Sequence, residues 1–338
     1  MDAAQRLQTP GRRAAIRGVG HYIPQKVLTN ADLERMVDTS DEWITERTGI
    51  RERRIAADHE TASTMGTEAA RQALDAAGVS PDRLDLIITA TVTGDMSFPS
   101  TACLMQAALG AGNAGAFDIG AGCTGFVYGL SVASQFIETG TYDHVLVVGT
   151  EKLSVITNWA DRTTCVLFGD GAGAALLGPC DPDRGILGFE LGAEGTGGDL
   201  LCVPGGGSLR PLTHEGLDAG EQYLRMNGRE VFKFAARALS DSPARVMARL
   251  GISPSEVAML IPHQANSRIT EAAIKRLNVP SERVYSNVDR FGNTSAASIP
   301  IALSEAVGRG LIKDGDIVIL TGFGAGLTYG TCAMKWVG

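Results

Sequence analysis

Residues 77–88 read AGVSPDRLDLII and residues 250–261 read LGISPSEVAMLI. Gly78 aligns with Gly251, Ser80 with Ser253 and Pro81 with Pro254, each pair 173 positions apart. In both blocks a helix ends at glycine, a Ser-Pro pair begins a new turn, and an apolar run makes a buried strand. A second pairing lies further along. Gly140 and Gly310 each close a helical stretch and precede an apolar run, HVLVVG (144–149) or DIVILTG (316–322). The helices they close begin near Cys123 and near Ser295. Strands therefore alternate with helices in the same order twice, which predicts a duplicated α/β chain with one βαβ unit in each half. The turn-rich stretch LGPCDPDRG (177–185) is the expected join, dividing the chain into halves 14–182 and 183–338.

Composition narrows the classes of function. A net charge of −8 over 338 residues excludes a general nucleic-acid binder. No apolar run reaches the roughly 18 residues of a membrane helix. The opening MDAAQRLQTPGRR is polar, without the apolar core of a signal sequence, and residues 1–13 read as a disordered tail. The six cysteines form no C-x-x-C pair and the five histidines show no metal-ligand spacing. A reduced cytoplasmic protein without a structural metal is the expectation.

The stretch DIGAGCTGF (118–126) carries the most chemistry. Gly120, Gly122 and Gly125 match the G-x-G-x-x-G pattern of dinucleotide-binding loops. Phe126, Leu130, Ala133 and Ile137 then follow one face of a helix that Gly140 stops. Gly120 and Gly122 are expected to let the chain turn sharply, and Gly125 to let the helix pack closely. Cys123 stands at the helix start, where free N–H groups and the positive dipole end favour thiolate. On these residues alone three readings stay open. Cys123 is a small buried residue; or the loop cradles a pyrophosphate, with Glu151 on a ribose; or Cys123 is a nucleophile that needs partners elsewhere.

Two segments offer such partners. IPHQANSR (261–268) puts His263 just past a buried strand, 173 positions after Ala90, so the second half carries an imidazole where the first carries a methyl group. DRFGNTSAAS (289–298) puts Asn293 in a turn before a helix. A structural histidine and a turn or N-cap asparagine are the alternatives. The order Cys, His, Asn also suits a papain-like hydrolase, but the surroundings of Cys123 lack that family's local signature.

Several blocks occur in an order that resembles β-ketoacyl-acyl carrier protein synthase III, a condensing enzyme of the thiolase superfamily. They are TNADLERMVDTSDEWITERTGIRERRIA, FPSTACLMQAALG, GAGCTGFVYGLSVA, FGDGAGAALL, HQANSRI, GNTSAAS and GFGAGLTYG, and the likeness runs from about Ile16 to the C-terminus. The resemblance implies an α/β fold of thiolase-like duplicated βαβ halves in a layered α-β-α-β-α architecture. It implies a Cys123–His263–Asn293 triad and a decarboxylative Claisen condensation of a short acyl-CoA with malonyl-acyl carrier protein. In that scheme Cys123 takes the acyl group, and backbone N–H groups of Cys123 and Ala325 hold the oxyanion. His263 and Asn293 then stabilise the enolate left by loss of CO₂. No cofactor is implied beyond the two substrates, and a homodimer is.

By the same resemblance, Trp43, Arg47, Arg162 and Asn266 bind CoA, and Phe98 reaches across the dimer to limit the acyl pocket. Arg229, Lys233 and Arg237 lie at i, i+4 and i+8 and with Arg268 could dock the acidic carrier protein, although the same stripe suits a solvated helix face. Three features depart from the family pattern. Ala325 replaces a usual glycine, Ser267 replaces a larger apolar residue on the carrier-protein surface, and the loop 203–220 is long and glycine-rich. Other functions on the same residues are a starter or tailoring acyltransferase of a secondary pathway, a dinucleotide-dependent oxidoreductase, and a non-catalytic acyl- or carrier-binding module.

Overall fold

The structure, a computed structural model, describes residues 12–338. Its first half runs β1 (Arg13–Tyr22), α1 (Ala62–Ala77), β2 (Leu86–Ala90), α2 (Thr101–Leu109), β3 (Gly115–Ile119), α3 (Gly125–Glu138), β4 (Val145–Glu151) and β5 (Gly171–Cys180). The second half runs β6 (Gly185–Ala193), α4 (Gly228–Leu250), β7 (Val257–Pro262), α5 (Ser267–Leu277), α6 (Ser298–Gly308), β8 (Ile317–Gly324) and β9 (Thr328–Lys335). The repeat is built as the glycines and prolines demand. Gly78 and Gly251 end α1 and α4 in the left-handed region, at φ 65° and 69°. Pro81 and Pro254 each open a single 3₁₀ turn that leads into the next strand.

The first sheet has the order β1-β5-β4-β2-β3, with β2, β3 and β4 parallel and β5 antiparallel to both its neighbours. The second has the order β6-β9-β8-β7, which is the same sheet without a counterpart of β3. That position holds a lone bridge between Leu260 and Val284. Pro280 and the 3₁₀ turn Ser281–Arg283 take up the chain that would have to extend.

Five layers result. Met65 and Leu74 of α1 and Met105 of α2 cover the outer face of the first sheet through Leu146 and Val148. Val145 and Val147 alternate to the inner face and pack on Phe126, Leu130 and Ile137 of α3, together with Ile299 and Leu303 of α6. The second sheet closes on the same two helices through Ile261, Val318 and Leu320. Val246 of α4 and Leu277 of α5 cover its far face. Strands buried on both faces explain the unbroken apolar runs in the sequence. No helix among the described residues is long and apolar enough to cross a membrane.

The expected tail is too long by two residues. Arg12 donates to the Tyr142 carbonyl at 2.7 Å and pairs with Asp143 at 2.6 Å. Arg13 opens β1 and donates to the carbonyls of Pro182 and Ile186. Residues 1–11 lie outside the described residues.

The halves meet with no room for side chains. A Cβ at Gly149 in β4 would lie 2.2 Å from the Ala296 carbonyl oxygen in the turn before α6. Replacement Gly149→Ala therefore drives apart the two halves where they carry the site. It is expected to cost about 3 kcal/mol or more in urea unfolding, at or above the upper end of ordinary overpacking, because backbone cannot yield as a side chain does.

Candidate active site

Cys123, His263 and Asn293 come together in one cavity of about 390 Å³, with Gly122, Gly324, Ala325 and Asn266 also in its wall. Each arrives from a different part of the repeat. Cys123 sits in the 3₁₀ turn Gly122–Thr124 that leads into α3. His263 follows the last residue of β7, held by its N–H to the Thr321 carbonyl at 2.8 Å. Asn293 lies in the turn before α6, tied by its N–H to the Leu167 carbonyl at 2.8 Å. It is not an N-cap: α6 is capped by Ala297 without a side-chain bond.

The glycine loop has a purpose other than phosphate binding. Gly122 takes φ 52°, and a Cβ there would stand 2.8 Å from the Ala325 amide nitrogen. A Cβ at Gly324 would stand 2.5 Å from the Cys123 amide nitrogen. The space a pyrophosphate would need at this helix start is filled by the end of β8, so the dinucleotide reading fails. At Gly120, by contrast, nothing lies within 4 Å of a Cβ and φ is not left-handed, so the sharp turn expected there needs only Gly122. Gly125 does pack closely, with its Cβ position 2.8 Å from Cβ of Ala90.

The thiol also departs from expectation. Burial pushes Cys123 up to about 12, outweighing the lowering effect of the neighbouring Ser295 hydroxyl, and the nearby Glu151 carboxyl adds to the rise. The helix start does not hold a resting thiolate, because desolvation of the anion is the larger effect. His263 is 1% exposed, and burial lowers its imidazole to about 3, so it is neutral. Its Nδ1 lies 2.6 Å from Ser298 Oγ, and its ring meets Phe323 edge-on at 5.2 Å. Nε2 is buried without a protein partner. Ser298 Oγ accepts the Gln264 N–H, and in the tautomer in which it gives its own proton to Nδ1 the ring hydrogen stands on Nε2. Asn293 Oδ1 accepts the Ser295 N–H at 2.8 Å, so its NH₂ is the end left for the cavity. Two neutral donors therefore converge beside one thiol.

Sequence reading missed Ser295 and misjudged Glu151. Ser295 stands 173 positions after Gly122 and shares its left-handed backbone, at φ 48°. Glu151 is fully buried. It accepts from Ser295 Oγ at 3.0 Å, the Val92 N–H at 3.1 Å, and the hydroxyls of Thr91 and Thr93. Burial raises its carboxyl to about 7 despite these donors. The repeat offset was a signal that could have found Ser295.

The remaining candidates divide. Arg47 and Arg162 place their guanidinium groups 5.2 Å and 5.4 Å from the Trp43 ring centre. Arg162 also donates to the Asp38 carbonyl at 2.7 Å. Asn266 lines the cavity and caps α5, while its Nδ2 donates to the Arg47 carbonyl at 3.0 Å. Phe98 is 84% exposed and does not line the cavity of its own chain. Arg229, Lys233, Arg237 and Arg268 are exposed, but Lys233 pairs with Glu230 at 2.7 Å and Arg237 with Glu194 at 2.6 Å. Ser267 is half-buried, with its Oγ 2.5 Å from a Cβ built at Gly49. The stems of the long loop line the cavity through Leu201, Cys202, Val203, Leu224 and Met226.

Comparison with known proteins agrees with the geometry. The family profile described as 3-oxoacyl-[acyl-carrier-protein] synthase III matches residues 117–195, and its C-terminal companion matches residues 247–336. The β-ketoacyl-[acyl-carrier-protein] synthase III of Caldanaerobacter subterraneus subsp. tengcongensis is 57% identical over 96% of this chain and 98% of its own length. The crystal structure of 3-oxoacyl-[acyl-carrier-protein] synthase III from Aquifex aeolicus is 49% identical, with a TM-score of 0.89 over 96% of this chain and all of that one. A priming β-ketosynthase from a polyketide biosynthetic pathway is 37% identical, with a TM-score of 0.90 over 98% of both chains.

The neutral histidine makes stability depend on pH. Its folded pKa of about 3 lies below the ordinary 6.5, so the unfolded chain binds the extra proton between those values. The stabilising contribution is complete above 6.5 and is lost as pH falls toward 3. Across that window, His263→Gln should reduce the slope of unfolding free energy against pH by up to about 1.4 kcal/mol per pH unit. Urea titrations at several pH values read this directly.

Proposed function

The chain belongs to the 3-oxoacyl-[acyl-carrier-protein] synthase III family, and on that premise we propose how its residues carry the condensation. It is an acyltransferase, the condensing enzyme that initiates fatty-acid synthesis. Cys123 attacks the carbonyl of a short acyl-CoA, the carbonyl becomes an oxyanion, and collapse expels CoA thiolate to leave an acyl-cysteine. The N–H groups of Cys123 and Ala325 are the oxyanion donors. The close approach of Gly122 to the Ala325 amide and of Gly324 to the Cys123 amide supports this, since it sets the two segments side by side in the cavity wall.

Malonyl-acyl carrier protein enters next. His263 Nε2 and the Asn293 NH₂ donate to its thioester oxygen, and loss of CO₂ places negative charge there as an enolate. The enolate carbon attacks the acyl-cysteine and releases 3-oxoacyl-acyl carrier protein. The single observation that carries this reading is the unpartnered, neutral Nε2 of His263 beside Asn293. A buried donor without a partner costs about 1–3 kcal/mol in the free protein. That cost is relieved when the charged enolate oxygen takes the hydrogen bond, which lowers the barrier. No cofactor beyond the two substrates takes part.

The halves 14–182 and 183–338 divide the labour, with the nucleophile in the first and both donors in the second. Trp43 stacks the adenine, Arg47 and Arg162 bind the CoA phosphates, and Asn266 lines the pantetheine path. The protein acts as a homodimer in the cytoplasm. Val92 lines the cavity yet is 49% exposed, beside the exposed Met96 and Phe98, so this end of the cavity is open in a single chain. Phe98 of a partner subunit closes it and limits the primer. Arg229, Lys233, Arg237 and Arg268 receive the acidic carrier protein. The local ion pairs of Lys233 and Arg237 are exposed, each worth about 0–1 kcal/mol, and exchange at little cost.

Incubation with acetyl-CoA should add one acetyl group to Cys123 by mass spectrometry. His263→Ala and Asn293→Ala should each keep that adduct and lower malonyl decarboxylation by about 100-fold or more. Loss of acylation with decarboxylation intact would reverse the assigned roles.

A further inference from the structure

The proposed reaction leaves one proton without a destination. Cys123 is a thiol at rest, so its proton has to leave as sulfur attacks. His263 is a poor acceptor: its Nδ1 is engaged by Ser298, its Nε2 is the donor that the proposed enolate needs, and burial disfavours the imidazolium. A buried carboxyl, that of Glu151, stands near enough to the thiol to act on it. Ser295 lines the same cavity wall as Cys123, close enough to lower its thiol, and donates its hydroxyl to Glu151 Oε1 at 3.0 Å.

We propose that Glu151 is the proton acceptor for Cys123, reached through the Ser295 hydroxyl. As the Sγ–C bond forms, the thiol proton passes to Ser295 Oγ and the Ser295 proton passes to Oε1. The single negative charge moves from carboxylate to sulfur and then to the oxyanion, so two adjacent anions never coexist. CoA leaves as a thiolate and takes a proton from water. At the end of the cycle the enolate attack releases Cys123 as a thiolate, and Glu151 returns the stored proton through Ser295. One proton from solvent is consumed per turnover, which balances the loss of CO₂ from a carboxylate.

Position and tuning agree with this role. Glu151 has no room to leave: Val92, Thr91, Thr93 and Ser295 hold both of its oxygens. The titratable groups about it are Cys123 and Lys152, and Lys152 turns its Nζ away to the carbonyls of Ala57 and Glu60 at 2.8 Å and 2.7 Å. Burial brings the carboxyl up to about 7, where a group can both take and return a proton near neutrality. Ser295 holds a left-handed backbone that costs a non-glycine residue of order 1 kcal/mol or more, and such strain gathers at functional sites.

The proposal rests on the acyl-cysteine reading above, and its test separates the two. Rapid-quench mass spectrometry follows acetylation of Cys123 by acetyl-CoA between pH 5.5 and 9 in wild type, Glu151→Gln and Ser295→Gly. Wild-type acylation should fall as pH drops below about 7, as Glu151 takes up a proton and can no longer accept one. Both variants should acylate about 100-fold more slowly at pH 7.5 and lose that inflection. Release of CO₂ from malonyl-acyl carrier protein by enzyme already acylated should change less than about threefold, because that step does not use the relay. Glycine adopts the Ser295 backbone readily and keeps the N–H that orients Asn293, so Ser295→Gly keeps the test open if Glu151→Gln folds poorly. Unchanged acylation with the inflection retained, or an equal fall in both steps, would overturn the relay. Absence of any wild-type adduct would instead remove the acyl-cysteine reading and the relay with it.

Discussion

Backbone meets backbone at the centre of this molecule, and the rest of the site depends on that contact. Gly122 presses on Ala325, Gly324 on Cys123, and Gly149 on the carbonyl of Ala296. A methyl group at any of these three glycines would overlap main-chain atoms that cannot move aside. The halves are therefore locked in register where nucleophile, donors and oxyanion amides must converge. Preorganisation here comes from missing side chains more than from added bonds.

The second constraint is dryness. Val231, Ile269, Phe323 and Leu153 help wall the cavity, and the groups they enclose are shifted toward their neutral forms. Desolvation raises the thiol and the carboxyl and lowers the imidazole, and these are one effect acting on three chemistries. A neutral imidazole suits hydrogen-bond donation to a developing enolate. A buried thiol requires a route for its proton. Ser295 touches both parts, since its N–H orients Asn293 and its hydroxyl, in the same wall as Cys123, donates to Glu151.

Much of the fold was legible because its punctuation is local. Gly78 and Gly251 have to end helices, Pro81 and Pro254 have to open turns, and apolar runs have to be buried on two faces. Those requirements act within a few residues, so the 173-residue repeat showed in the sequence and then in the sheets. The missing counterpart of β3 was less visible, because Val284 makes only a lone bridge to Leu260, a contact set by packing and not by its polar neighbours in sequence. The boundary of the tail failed for a similar reason. Arg12 and Arg13 look like solvent residues until Tyr142, Pro182 and Ile186 supply carbonyls from distant parts of the chain.

By itself the sequence determined the duplicated α/β plan, the candidate trio Cys123, His263 and Asn293, and the likeness to a condensing family. Only the tertiary structure decided what the glycine loop is for, how each group is charged, and which residues complete the site. Spacing can place Cys123 at a helix start and so suggest thiolate, since the dipole acts along the chain. Desolvation depends on everything packed around the sulfur, and His263, Ser295, Phe323 and Gly324 bring part of that from the other half of the molecule. Burial therefore overruled the local expectation, and it turned Glu151 from a possible ribose contact into a carboxyl beside the thiol.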